Sequence, residues 1–224
     1  MPRLVIDIET VGRGLDELDP GIRENLLKNA ITEDEVREVA DSLGLYPITA
    51  EIVAIGLYDP DAKKGTVHYQ SPGELPLPTE EAGLQFTPGT EAEILTRFWQ
   101  TVRKQDTIVT FNGRAFDAPF IIIRSAIHHI APTRELVPNR YDGSHVDLFD
   151  RLTFYGAAKR RFGLDAWCRA FGIRSPKEEG VSGADVRKLW DDKRYLDIAT
   201  YCGRDIKATA ELYEYWERYV RFRA

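Results

Sequence analysis

The sequence predicts an α/β protein with a mixed central sheet, an antiparallel meander followed by parallel strands, flanked by helices. Three observations carry this. Strand-like runs at residues 3–9, 51–58 and 65–70 succeed one another early in the chain; helix, apolar strand and helix alternate over 90–129; and the chain from Gly156 onward is mostly helical in pattern.

The first run, 3–9, is apolar and ends in acids, as a central strand does when its C-terminal end opens onto a site. Residues 14–44 place Leu26, Leu27, Val36, Val39 and Leu43 among many charges, so they read as a helical insertion. Glu51–Tyr58 and Gly65–Gln70 are strands joined by a turn at Asp59-Pro60-Asp61. Ser71–Gly89 holds four prolines and three glycines and is expected to be a loop. Thr90–Lys104 spaces Ile94, Leu95, Phe98, Trp99 and Val102 as a helix does; Asp106–Phe111 is a buried strand; Asn112–Phe116 turns. Ala118–His129 is a helix with Pro119 in its first turn, where a missing N–H costs little. A short strand is expected at His145–Leu148, then helices with a break at 172–183. Trp99, Trp167, Trp190 and Trp216 lie on apolar helix faces and are expected in the core; the face with Tyr213, Trp216, Tyr219 and Phe222 could meet a partner.

At 224 residues and 43% hydrophobic, the chain can form one domain, 1–224, carrying the insertion and the proline-rich loop. No run approaches the roughly 18 apolar residues of a membrane span, and the first apolar run is cut by Asp7. Neither a signal peptide nor a membrane association is expected. Cys168 and Cys202 have no paired motif, which argues against a disulfide framework or a zinc site and for a reducing cytoplasm. The net charge of −6 is the reverse of what a non-specific duplex binder carries. Local cations are left to grip a few nucleotides: Lys159-Arg160-Arg161, Arg114 with Arg124, or Arg218, Arg221 and Arg223, each also readable as a solvated face.

Three short motifs carry the chemistry. In Asp7-Ile8-Glu9-Thr10 the two acids, two apart on a strand, share a face and can hold one cation. Oxygen ligands without an accompanying His or Cys suit magnesium or manganese rather than zinc. Asp117 follows Asn112-Gly113-Arg114-Ala115-Phe116 at a helix start, a place for a first-turn acid or for a ligand of a second metal. Phe116 is either a core residue or a platform for a terminal base. Tyr201 and Asp205, four apart on a helix, point from one face and can reach one water. Four convergent carboxylates repel one another, and divalent metal is what keeps them ionised, so the chain reads as a metal-dependent phosphodiesterase. Asp147 is expected to cap a helix outside the site, and His128, His129 and His145 to be surface or core residues.

In this order the motifs resemble those of the DEDDy branch of the DnaQ-like 3′–5′ exonucleases, which have an RNase H-like fold. Within that branch the chain is similar to the stand-alone exonucleases related to the proofreading domain of B-family DNA polymerases. His145-Val146-Asp147-Leu148 and the segment Leu164–Ile173 share in the likeness, and Thr200, where the sister branch has His, points to the tyrosine branch. The resemblance implies catalytic Asp7, Glu9, Asp117, Tyr201 and Asp205. Asp7, Glu9 and Asp205 would hold one Mg2+ or Mn2+, and Asp7 with Asp117 a second, while Thr10, Asn112 and Phe116 would contact the 3′-terminal nucleotide. It further implies hydrolysis of single-stranded DNA from the 3′ end to nucleoside 5′-monophosphates, with a repair or polymerase partner left open. Two alternatives stand beside it: an exoribonuclease of the same branch, and a catalytically silent module that binds nucleic acid or a partner.

Overall fold

The computed structural model describes residues 2–73, 76–179 and 183–222. Its elements run β1 (Arg3–Gly12), α1 (Pro20–Leu27), α2 (Glu33–Ser42), β2 (Ala50–Asp59), β3 (Lys64–Gln70), β4 (Thr79–Glu81), β5 (Leu84–Gly89), α3 (Glu91–Val102), β6 (Thr107–Thr110), α4 (Asp117–Ile127), β7 (His145–Asp147), α5 (Leu148–Leu152), α6 (Leu164–Ala170), α7 (Val186–Asp191) and α8 (Tyr195–Tyr219). The strands form one sheet in the order β4-β5-β3-β2-β1-β6-β7. β1, β2 and β3 are the antiparallel meander, and β6 and β7 join on the other side of β1 in parallel. This is the mixed α/β architecture of the RNase H-like fold.

Alternation along β1 divides the molecule into two cores. Leu4, Ile6 and Ile8 face α3 and α4, packing with Ile94, Phe98, Phe120 and Ile121. Val5 and Val11 face the other way, onto Ile198, Cys202, Ile206 and Leu212 of α8. Asp7 and Glu9 have the parity of Val5, so both point toward α8. The pairing shifts between Glu9 and Thr10, which face Ala54 and Ile52 and leave Val53 as a bulge on β2.

Two readings of the sequence need correction. Part of Ser71–Gly89 is not loop: β5 adds to the sheet beside β3, and β4 pairs with it at the edge. Leu84 and Phe86 turn inward at 4% and 3% exposure, while Pro88 falls beyond the reach of β4, where a missing N–H breaks no bond on that side. Glu74 and Leu75 of this stretch lie outside the described residues, as do Gly180 to Ser182 of the break at 172–183. The other correction concerns β1, which continues past the acids to Gly12 because β2 pairs with it that far.

Trp99 and Trp216 are buried, and Trp167 and Trp190 pack half-buried against the α8 core. The closing aromatic face is split, with Tyr213 and Trp216 turned inward and Tyr219 and Phe222 exposed. No described helix is long and apolar enough to cross a membrane.

Candidate active site

The site arises where the sheet loses a strand pairing. β6 pairs with β1 only at Arg3–Val5 and then ends at Thr110. Farther along β1 the backbone on that side lacks a strand partner, and the Ile8 N–H donates instead to Asp117 Oδ1 at 3.1 Å. One hydrogen bond therefore satisfies a buried peptide group and places the Asp117 carboxylate beside Asp7 and Glu9. The turn that delivers Asp117 is itself held. Asp147 caps α5 through Phe149 N–H and also accepts from Asn112 N–H at 2.8 Å and Arg114 N–H at 3.0 Å. Asn112 sits at φ 63°, a left-handed conformation that Asn tolerates better than most residues. Gly113 is required because a Cβ would lie 2.5 Å from that of Thr110.

From the opposite side α8 brings Tyr201 and Asp205, one turn apart. The helix approaches β2 closely over Gly56, the partner of Asp7: a Cβ there would meet Ile206 at 2.7 Å and Cys202 at 3.0 Å. Gly203 does the same against Leu84, where a Cβ would sit 2.8 Å away. The Tyr201 phenol lies close enough to the Asp205 carboxylate for each to shift the other's pKa, and the Asp205 Oδ1 is buried with no hydrogen-bond partner among the described residues.

Electrostatics show the convergence. Burial first, then the carboxylates of Asp117, Asp205 and Glu9, push Asp7 well above the ordinary range. Burial, Asp205 and Asp117 do the same to Glu9, which is 7% exposed. Burial, with Asp147 and Asp205 behind it, lifts Asp117 to about 7 against the pull of the Ile8 N–H. Asp205 is raised to about 6 by burial, although Tyr201, Arg204 and Lys177 draw it down. The Tyr201 phenol is raised by burial and by Asp205, Glu9 and Asp7, so it is a proton donor at neutral pH and not a base.

Asp7, Glu9, Asp117, Tyr201 and Asp205, from three distant segments, thus lie within electrostatic reach of one another, although among the described residues the group of three ligand atoms within 4.8 Å holds Asp7 and Glu9 but neither Asp117 nor Asp205. Buried carboxylates with raised pKa values, one with a stranded buried oxygen, fit a divalent cation, which would favour their ionised forms and satisfy that oxygen. The expectation that no Cys accompanies the acids is corrected. Ligand atoms of Asp7, Glu9 and Cys202 lie within 4.8 Å of one another, and the Cys202 thiol approaches the Asp7 carbonyl at 3.7 Å and its Oδ2 at 3.9 Å. Burial and the neighbouring acids raise that thiol well above its usual range, so it is a weak donor and no thiolate. Its sequence signal was its place beside Tyr201, masked by its fit to an apolar helix face.

The residues expected to touch substrate are placed less directly. Thr10 Oγ1 donates to the Gly44 carbonyl at 2.7 Å, tying the strand to the end of the insertion. Asn112 is half-buried, and Phe116 packs half-buried against Phe120, with ring centroids 5.3 Å apart. One basic candidate is corrected: Arg124 is 2% exposed and bonds Glu91 through Nε and Nη2 at 2.8 and 2.6 Å, so burial has spent it on the fold. Arg114 is half-buried, turns its Nη2 to the Pro138 carbonyl at 2.5 Å and leaves its Nη1 without a hydrogen-bond partner among the described residues. Lys159, Arg160 and Arg161 are exposed, as are Arg218 and Arg221, whereas Arg223 lies outside the described residues.

No curated protein matches the chain closely enough to count. Among solved structures, the family B DNA polymerase of the hyperthermophilic archaeon Pyrobaculum calidifontis is similar, with a TM-score of 0.60 and 16% identity over 96% of this chain. The chain spans 24% of that polymerase, and the likeness is one of fold. A family model described as a predicted 3′-5′ exonuclease related to the exonuclease domain of PolB matches residues 79–224, which include Asp117, Tyr201 and Asp205 but not Asp7 or Glu9. With well over half of its length matched, the chain belongs to this family of predicted 3′-5′ exonucleases related to the exonuclease domain of PolB.

Proposed function

We propose that the protein is a two-metal 3′–5′ exonuclease that degrades single-stranded DNA to nucleoside 5′-monophosphates. One observation carries the reading: burial raises the pKa of four carboxylates from three segments, neighbouring acids add to this at Asp7, Glu9 and Asp117, and the buried Asp205 Oδ1 faces no hydrogen-bond donor among the described residues. Asp7, Glu9 and Asp205 would hold one Mg2+ or Mn2+, with Asp7 and Asp117 holding another. When bound, such a pair lowers the pKa of an attacking water and neutralises charge on the leaving 3′ oxygen.

The chain's own residues do the rest. Tyr201, protonated and beside Asp205, orients a water and does not deprotonate it. The Ile8 N–H fixes one Asp117 oxygen. Thr10, Asn112 and Phe116 would border the terminal nucleotide, Phe116 with a ring face for its base. The test is digestion of matched DNA and RNA oligonucleotides, labelled at either end, with Mg2+ or Mn2+ and with chelator. Metal-dependent mononucleotide release from the 3′ end of DNA is expected. Release from the 5′ end, or full activity in chelator, would refute the assignment, and a preference for RNA would transfer it to the exoribonuclease reading.

A further inference from the structure

Residues 14–44 contain nine acids and three bases, so this segment alone carries the net charge of −6 and the rest of the chain is balanced. All nine acids are exposed, and neither α1 nor α2 has a buried residue. The segment is anchored by Leu18 and Leu43, at 8% and 1% exposure. It is therefore an acidic arm resting on the body, outside the residues that the family model matches.

The arm stands beside the acids of the site. Its last glycine, Gly44, accepts the bond from Thr10, the residue after Glu9. A cavity of about 660 Å³ lies between arm and body, with Ala40 and Asp41 on one side and Thr10, Arg13 and Arg187 on the other. The cations across the cavity do not offset the arm, because Arg13 is paired with Glu51 at 2.9 Å and Arg187 with Asp191 at 2.9 Å. Within the arm, Asp16 pairs with Arg23 and Asp34 with Arg37, leaving seven acids against Lys28.

Resting on the exonuclease reading above, we infer that the arm is an electrostatic filter that disfavours duplex DNA relative to a single strand at the site. A duplex presents one charge per ~1.7 Å of axis, about twice the density of one strand, so bringing it against the arm costs more. The screening length is ~30 Å at about 10 mM salt and ~8 Å at about 150 mM, so the filter acts at low salt and fades as salt rises.

The test compares the protein with a variant carrying Glu24→Gln, Glu33→Gln, Glu38→Gln and Asp41→Asn. None of these accepts a capping bond; Glu17, Asp19 and Glu35 do that and are kept. The readout is kcat/KM on an oligonucleotide, alone and annealed to its complement, at about 10 mM and about 150 mM salt with magnesium fixed. The expected result is a single-strand preference that shrinks as salt rises. In the variant at low salt that preference should fall roughly fivefold, because four charge pairs ~10 Å apart in water each contribute a factor of about 1.5. A charge-preserving control, with Asp and Glu exchanged at the same four positions, should keep the original preference. Equal preferences in the parent and the neutralised variant, or an equal fall in the charge-preserving control, would overturn the filter while leaving the nuclease reading intact. Inactivity of the parent protein on both substrates would overturn both.

Discussion

A carboxylate that keeps its proton near neutral pH is a poor ligand until a cation displaces that proton; Asp7 and Glu9 are pushed toward that state, Asp117, at about 7, stands at its midpoint, and Asp205, at about 6, is mostly ionised. Asp7 has all three other acids as neighbours, so Asp7→Ala should lower kcat by several orders of magnitude. Tyr201→Phe removes one oriented donor and should cost about 10²-fold, leaving a measurable remainder. Steady-state kinetics on a labelled single strand separate the two, and equal residual rates would contradict these roles. Removing the repulsion should also show in stability: Asp7→Asn is expected to raise the melting temperature of the metal-free protein at pH 8 while activity is lost. All five of these residues could be picked out from motif order alone. Cys202 could not, because an apolar helix face and a site wall look alike until the opposing strand is placed.

Close approach sets the site at the level of elements. Gly56 lets α8 lie against β2, and Gly56→Ala would drive a methyl into Ile206 and Cys202. The expected cost is about 1–3 kcal/mol in unfolding free energy, with a fall in kcat as Tyr201 and Asp205 are displaced from β1. A second junction joins α3, α4 and the start of β2. Glu91 accepts from the Ile52 N–H at 2.8 Å, from Arg124 and from His128 at 2.7 Å. Arg124→Met would strand a buried carboxylate, and denaturant titration should show a loss of about 3–5 kcal/mol. The pattern of residues 90–104 and 106–111 suffices to place α3 and β6. It does not suffice for β5, whose two inward residues sit among prolines and glycines and become a strand only through pairing with β3.

Across the whole molecule, pH and metal act on one balance. The site acids bind protons more tightly when folded than when unfolded, so their contribution is greatest at low pH and is lost as pH rises through about 6 and 7, the values for Asp205 and Asp117. Buried His68 and His145, both lowered to about 4 chiefly by burial, act in the opposite sense between that value and their unfolded one of about 6.5. Above about pH 6.5 only the acid effect remains, so the melting temperature in chelator should fall between pH 6.5 and 8.5. Saturating Mg2+ or Mn2+ should restore it, with roughly 2.7 kcal/mol expected at a hundred times Kd. A scan with a flat profile and no response to metal would refute the site.

The sequence by itself determined the α/β class, the strand and helix succession around the motifs, and the identity of the acids, because periodicity and residue type are local properties. Only the tertiary structure decided that β1 outruns β6 and frees the Ile8 N–H for Asp117, that Cys202 joins the acids, and that Arg124 is spent in the core. Each of these depends on which distant segments meet, and pairing across a sheet is invisible to patterns read along one strand at a time.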